Sequence, residues 1–194
     1  MSTKQPTQTR QAELVAAALA LAAERSPAEV TTAALAQTVG ITQGAVFRHF
    51  ESKEAIWLAV IDFAHQDLLA RLHAAAAAQV QPLAALRAVF MAHVDFVVEQ
   101  PGVPRVIFQE LQHPEDTPLK ARVRGLMQAY RTLLTGLLQR AQAARLLAPG
   151  TDLQAAAVLF IGSVQGLVMQ SLLSGQVGAM RSLAPAVFEL LQQS

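Results

Sequence analysis

The segment TTAALAQTVGITQGAVFRHFESK, residues 31–53, limits the possible folds of this chain more than any other stretch. Thr31 and Thr32 offer hydroxyls that can cap a short helix whose apolar residues are Leu35, Ala36 and Val39. Gly40 follows, where a tight turn requires a positive φ that a side chain resists. Thr42 is placed to cap a second short helix running through Val46 and Phe47. Ala36 is small enough to let the two helices cross closely, and Ile41 and Val46 fill the angle between them. The pattern predicts a helix-turn-helix whose second helix is suited to a DNA major groove. Thr42, Gln43, Gly44 and Ala45 would then face the groove. Gln43 suits an adenine edge and Thr42 a base or a phosphate, while Gly44 lets the backbone come close. Arg48, His49 and Lys53 are the expected phosphate contacts. Thr31, Thr32 and Phe47 complete the expected DNA-contacting set.

The rest of the chain reads as helix nearly throughout, because alanine and leucine dominate and β-branched and aromatic runs are scarce. Of its 194 residues, 53% are hydrophobic, enough for a packed core. A net charge of +1 argues against non-specific wrapping of nucleic acid, so any DNA contact must be local. The absence of cysteine excludes disulfides, thiolate metal sites and thiol redox sensing. The opening MSTKQPTQTR lacks the apolar core of a signal peptide, so the expected location is the cytoplasm. Residues 1–8 are polar, contain Pro6, and are expected to be disordered.

Helices are expected over residues 9–25, 52–78, 82–100, 104–112, 118–147, 153–174 and 181–192, with Ser26-Pro27, Pro101-Gly102, His113-Pro114 and Pro149-Gly150 as breaks. Residues 153–180 carry no charge and are long enough to cross a membrane. Gln154, Ser163, Gln165, Gln170 and Ser171 interrupt that stretch. Ala155, Ala156, Gly162 and Gly166 would admit a closely packed neighbour. The expectation is therefore a helix buried in a dimer, with no membrane role. The two-fold interface is expected around Gly162 and Gly166, with Leu183, Val187, Phe188 and Leu191 of the last helix. Phe50 and Trp57 are expected in the core.

Residues 10–63 resemble the DNA-binding domain of the TetR family of bacterial regulators. The resemblance rests on Arg10, the Leu14–Ala18–Leu21 stripe, Thr31-Thr32, Gly40-Ile41-Thr42-Gln43-Gly44, Val46-Phe47-Arg48-His49-Phe50 and Lys53-Glu54. It implies an all-α fold. An N-terminal three-helix DNA-binding head, residues 1–51, would precede a larger helical domain, residues 52–194, that binds an effector and dimerises. The family places a phosphate contact at Lys53. It commonly has tyrosine where Phe47 stands; without the hydroxyl that bond is lost, packing remains as a role for Phe47, and Arg48 could supply the contact.

The resemblance also implies an effector pocket among the later helices. The candidates are Phe90, His93 and Val97 on one helix, Phe108 on the next, and Met127, Tyr130 and Phe160 beyond. They suit an apolar or aromatic small molecule, oriented by His93, Gln109 or the Tyr130 hydroxyl. His93 is read first as a core histidine with a partner, and second as such an anchor. The histidines show no metal-binding spacing: His65 and His73 are eight apart on one helix and there is no HExxH. No phosphate loop, Ser–His–acid spacing or carboxylate pair stands out, so neither a cofactor nor catalysis is expected. The reading is a ligand-responsive repressor that binds a palindromic double-stranded operator as a homodimer, with half-sites ~34–36 Å apart or a related multiple. The alternative is a helix-turn-helix scaffold acting as an architectural or protein-interaction module without a small-molecule effector.

Overall fold

The computed structural model describes residues 7–193, and these are helical with no strand among them. The elements are α1 (Thr7–Glu24), a 3-10 turn (Pro27–Glu29), α2 (Thr32–Val39), α3 (Gln43–Val46) and α4 (Lys53–Ala77). They continue with α5 (Pro82–Glu99), α6 (Gly102–Glu110), α7 (Pro118–Ala143), α8 (Leu153–Ser174) and α9 (Ala179–Gln193). Residues 1–6 of the polar tail lie outside the described residues. Thr7 and Gln8 are helical, forming the first turn of α1 rather than the expected disorder. α7 ends at Ala143, short of the expected residue 147, because Arg145 adopts φ 57° and closes the helix. The Arg145 amide donates to the Gln142 carbonyl and the Leu146 amide to the Ala141 carbonyl, the pairing of a left-handed helix cap.

Two compact units emerge, and they do not follow the 1–51 and 52–194 division. The first holds the described residues through His65 together with 100–124, and the second holds 66–99 and 125–194. The division falls within α4 and α7. The C-terminal half therefore lends α6 and the segment after it to the reading head, which local sequence patterns do not reveal.

In the first unit, α1 buries Leu14, Ala18, Leu21 and Ala22 against α2 on one side and α6 on the other. Phe50 and Trp57 are buried as expected. Gly102 opens α6 at a close approach to α1. A Cβ built there would lie 2.3 Å from the Leu19 carbonyl oxygen and 3.3 Å from the Ala22 Cβ. A backbone carbonyl in the middle of a helix cannot swing aside, so α6 reaches α1 only because position 102 has no side chain.

In the second unit, α5, α8 and α9 pack on one another. α8 turns Ala157, Phe160, Ile161, Val164, Leu167 and Val168 inward, while Val158, Leu159, Met169 and Leu173 remain exposed. α8 is long and apolar enough to cross a membrane, yet one stripe of it is the core of this unit. Gly162 and Gly166 are exposed, and among the described residues nothing beyond their own stretch of α8 comes within 4 Å of the position a Cβ would take on either. Leu183 and Leu190 are likewise exposed on α9, but Phe188 is not part of that face. It is buried against Phe90, with ring centroids 5.5 Å apart. Arg71 ties the unit's polar edge. It pairs with Asp67 on α4 and Glu99 on α5, and its guanidinium lies 5.6 Å from the Phe96 ring centroid. Arg181 on α9 joins through Asp95 and Glu99.

Gly102→Ala should destabilise the protein by ~1–3 kcal/mol or more, since the added methyl must force α6 off α1. Urea denaturation measures this directly. A change below a few tenths of a kcal/mol would show that the α1–α6 contact yields without cost.

Candidate DNA-reading head and effector cavity

The turn between α2 and α3 is built by three local devices. Thr31 has extended backbone, and its hydroxyl oxygen accepts the Ala34 amide at 3.1 Å, capping α2. Gly40 has φ 73°, and the Ile41 amide behind it donates to the Ala36 carbonyl at 2.9 Å, closing α2. Thr42 then caps α3 by accepting the Ala45 amide at 3.3 Å. Val46 is fully buried beneath α3, and Ile41 is half-buried. Thr42, Gln43 and Gly44 are thereby left exposed in consecutive positions, with Ala45 half-buried beside them.

The side chains around this turn are not equally free. The Gln43 amide donates to the Thr32 hydroxyl at 2.9 Å, joining the start of α3 to the start of α2. Gln43 keeps its carbonyl oxygen and a second amide hydrogen. Arg48 is exposed. Phe47 is 50% exposed, so packing is not its role: the ring stands at the surface instead of in the core. His49 is half-buried; its carbonyl accepts the Gln11 amide at 2.8 Å, and its Nδ1 is buried without a hydrogen-bond partner.

Lys53 is held back from solvent more than a phosphate contact would suggest. Its ammonium donates to the Ala28 carbonyl at 3.0 Å, and partial burial lowers its pKa from the ordinary lysine value. An ammonium has three donors, so two remain for an anion. The Ala28 amide is held from the other side by Gln109 of α6, whose Oε1 accepts it at 2.9 Å and also accepts the Ser26 hydroxyl at 3.3 Å. Gln109 therefore braces the 3-10 turn of the head and is not an anchor for an effector. Nothing local in the sequence signals this, because the partners are 81 residues apart.

Most of the side chains expected to line an effector pocket are buried. Phe90 and Tyr130 are fully buried, and His93, Val97 and Phe160 nearly so. Phe90 and Phe160 meet edge to face at 5.3 Å. His93 Nδ1 and the Tyr130 hydroxyl are hydrogen-bonded at 3.1 Å, so each polar side chain satisfies the other inside an apolar core. Met127 is only half-buried. Phe108 lies on α6, which packs on α1 and belongs to the first unit. Space opens elsewhere in the second unit. A cavity of about 560 Å³ lies where the first turns of α5 and α8 meet the ends of α7 and α9. Leu86, Leu138, Leu146, Leu147 and Phe188 form much of its wall, and Phe160 is the one expected pocket residue that reaches it. No group of acidic, histidine or cysteine side chains suited to a metal ion occurs among the described residues.

Burial pushes His93 down to about 4 and raises the Tyr130 phenol above its ordinary value. In the unfolded chain His93 takes up its proton near pH ~6.5. Between that pH and about 4 the unfolded state holds the extra proton, so stability falls as pH falls through this window. The full effect approaches ~3 kcal/mol, and none of it is felt above neutrality. Replacing both partners, His93→Leu with Tyr130→Phe, should remove this component from urea denaturation midpoints compared at pH 7 and 4.5. An unchanged pH dependence would mean that His93 is not held neutral.

Comparison with known proteins agrees with this geometry. The family model described as "Bacterial regulatory proteins, tetR family" matches residues 14–60, and "Tetracyclin repressor-like, C-terminal domain" matches residues 82–187. The nucleoid occlusion factor SlmA of Marinomonas sp. (strain MWYL1) is 27% identical over 152 residues, covering 78% of this chain and 77% of that protein. The transcriptional regulator FadR from Bacillus subtilis, solved in complex with stearoyl-CoA, superposes with a TM-score of 0.81 at 19% identity, covering 93% of this chain and 96% of FadR. The fatty acid degradation regulator FadR from Bacillus halodurans gives a TM-score of 0.84 at 17% identity, with coverage of 98% and 97%. At these identities the two structures establish a shared fold. The family models extend over both the capped turn and the helices that follow it, and the chain belongs to the tetR family of bacterial regulatory proteins.

Proposed function

We propose that this DNA-binding regulator is a cytoplasmic repressor that reads a palindromic operator as a homodimer and releases it when a small molecule binds its second unit. The observation that carries the DNA-reading part is the turn itself. Its threonine caps hold one amide each, Ala34 of α2 and Ala45 of α3, while Gln43, Gly44 and Arg48 remain exposed along and just after α3. Gln43 reads a base edge, Gly44 admits the backbone to the groove, and Arg48 takes the phosphate that Phe47 cannot bond. Thr31, Thr32, Thr42, Ala45, His49 and Lys53 flank this contact. The net charge of +1 makes that local placement necessary.

A second copy of the chain is the proposed cover for the outward face of α8 and α9. Val158, Met169, Leu173, Leu183 and Leu190 would otherwise leave a large apolar surface in water, and Gly162 and Gly166 allow a close helix crossing. That a protein of this fold is known with stearoyl-CoA bound supports the small-molecule part of the reading. The alternative, a module without an effector, draws support from the similarity to a nucleoid occlusion factor and from the buried aromatic core. The open cavity at the helix ends favours the sensor.

Gln43→Ala should weaken operator binding by ~1–3 kcal/mol and relax preference at one position in each half-site. Arg48→Ala should weaken binding to operator and random duplex alike, and reduce the salt slope by about one. Fluorescence titration of both variants against both duplexes separates the two roles. Unchanged affinities in both would remove α3 from the DNA interface.

A further inference from the structure

The cavity of the second unit is chemically lopsided. Its walls are the ends of helices, and they carry leucine and phenylalanine. The Arg145 turn adds to them by ending α7 abruptly, which brings Leu146 and Leu147 into the lining. The polar lining residues are Thr151 and Asp152, which lead into α8, and Gln192 of α9. The volume of about 560 Å³ falls within the ~300–1,000 Å³ typical of small-molecule sites.

Thr151 and Asp152 can accept hydrogen bonds better than they can donate them, while the Gln192 amide can do both. The Thr151 hydroxyl already donates to the Ala148 carbonyl at 2.7 Å, so it offers a ligand only its lone pairs. Asp152 is held in place as the cap of α8, its Oδ1 accepting the amides of Gln154 at 2.8 Å and Ala155 at 3.2 Å. The amides of α8 offset part of the carboxylate's charge and leave the rim negative. No lysine or arginine is among the described lining residues. A head group that donates hydrogen bonds is welcome at such a rim, and an anionic one is repelled.

From this juxtaposition of apolar wall and fixed carboxylate, we propose that the cavity binds single-chain amphiphiles with a cationic or neutral, hydrogen-bond-donating head. The chain lies among the leucines and the head rests at Thr151 and Asp152. This deepens the ligand-responsive reading above and rests on it for its regulatory meaning. The cavity is bordered by α8 and α9, the helices that carry the exposed apolar face, with half-exposed Leu159 at its lip. Occupancy would thus bias how two copies meet, and with it the spacing of their reading heads.

The test is calorimetry on the full-length protein with decylamine, decanol and decanoate below their aggregation limits. Decylammonium and decanol should bind, and decanoate at least tenfold more weakly than decylammonium. Asp152→Asn keeps a capping side chain. It should bring decylammonium and decanoate within threefold of each other and leave decanol unchanged. Ala156→Phe should weaken all three by more than tenfold. Because that variant adds bulk to a helix, Asp152→Asn carries the decision if it misfolds. Equal binding of the amine and the acid, a preference untouched by Asp152→Asn, or no binding of any probe would overturn the proposal. Binding seen only on dilution to monomer would also overturn it, since a second copy would then fill the space. Operator binding is measured separately: a protein that holds operator but no probe loses this site and keeps its DNA-reading role. One that binds the probes with this preference but no operator keeps the site and contradicts the repressor reading.

Discussion

α6 lies against α1 only because Gly102 has no Cβ, and much of the first unit is arranged from that contact. With α6 seated against the Leu19 carbonyl, Gln109 reaches the 3-10 turn and holds the Ala28 amide. The Ala28 carbonyl is then free to take the Lys53 ammonium, which fixes the start of α4. One peptide group is thus gripped on both sides by residues far apart in sequence. Each hydrogen bond is worth ~0.5–1.5 kcal/mol, and the charged one somewhat more. Their importance is geometric: they place α4 with respect to α1 and α2, and so position the turn that carries α3. Lys53 participates in this clasp, so its ammonium can offer an anion only the donors that the clasp leaves.

The second unit solves a different problem. Its aromatic core encloses one polar pair: burial disfavours the charged forms of His93 and Tyr130, and each satisfies the other's hydrogen bond. The cavity described above lies at the helix ends, where the chain turns and regular packing stops. The outward stripe of α8 then leaves apolar side chains without cover from their own chain.

The legible parts of the sequence are those whose physics is local. Thr31, Gly40 and Thr42 announce their roles within a few residues, because a cap or a left-handed turn is decided by its own neighbours. Most helix limits follow from proline and glycine for the same reason. What the sequence conceals is partnership at long range. Position 102 reads as a helix breaker, yet its function is to touch Leu19. Gln109 and Phe108 read as pocket residues because they sit on a helix rich in apolar side chains, and α6 takes them to the other unit. The aromatic residues mark a core, and of the expected pocket residues Phe160 alone also lines the cavity at the helix ends, where leucine is the commonest residue. Arg145 gave no warning, since a positive φ is expected at glycine or asparagine. Phe47 stands exposed where an apolar residue was expected to pack.

The central claim, that the capped turn presents α3 to a DNA groove in two copies at once, is tested most directly by selecting duplexes from a random pool with the full-length protein. The account predicts enrichment of an inverted repeat. Its half-sites should lie on one face of the duplex, their centres ~34–36 Å or a related multiple apart. Enrichment of a single unrepeated site, or of no sequence at all, would contradict it.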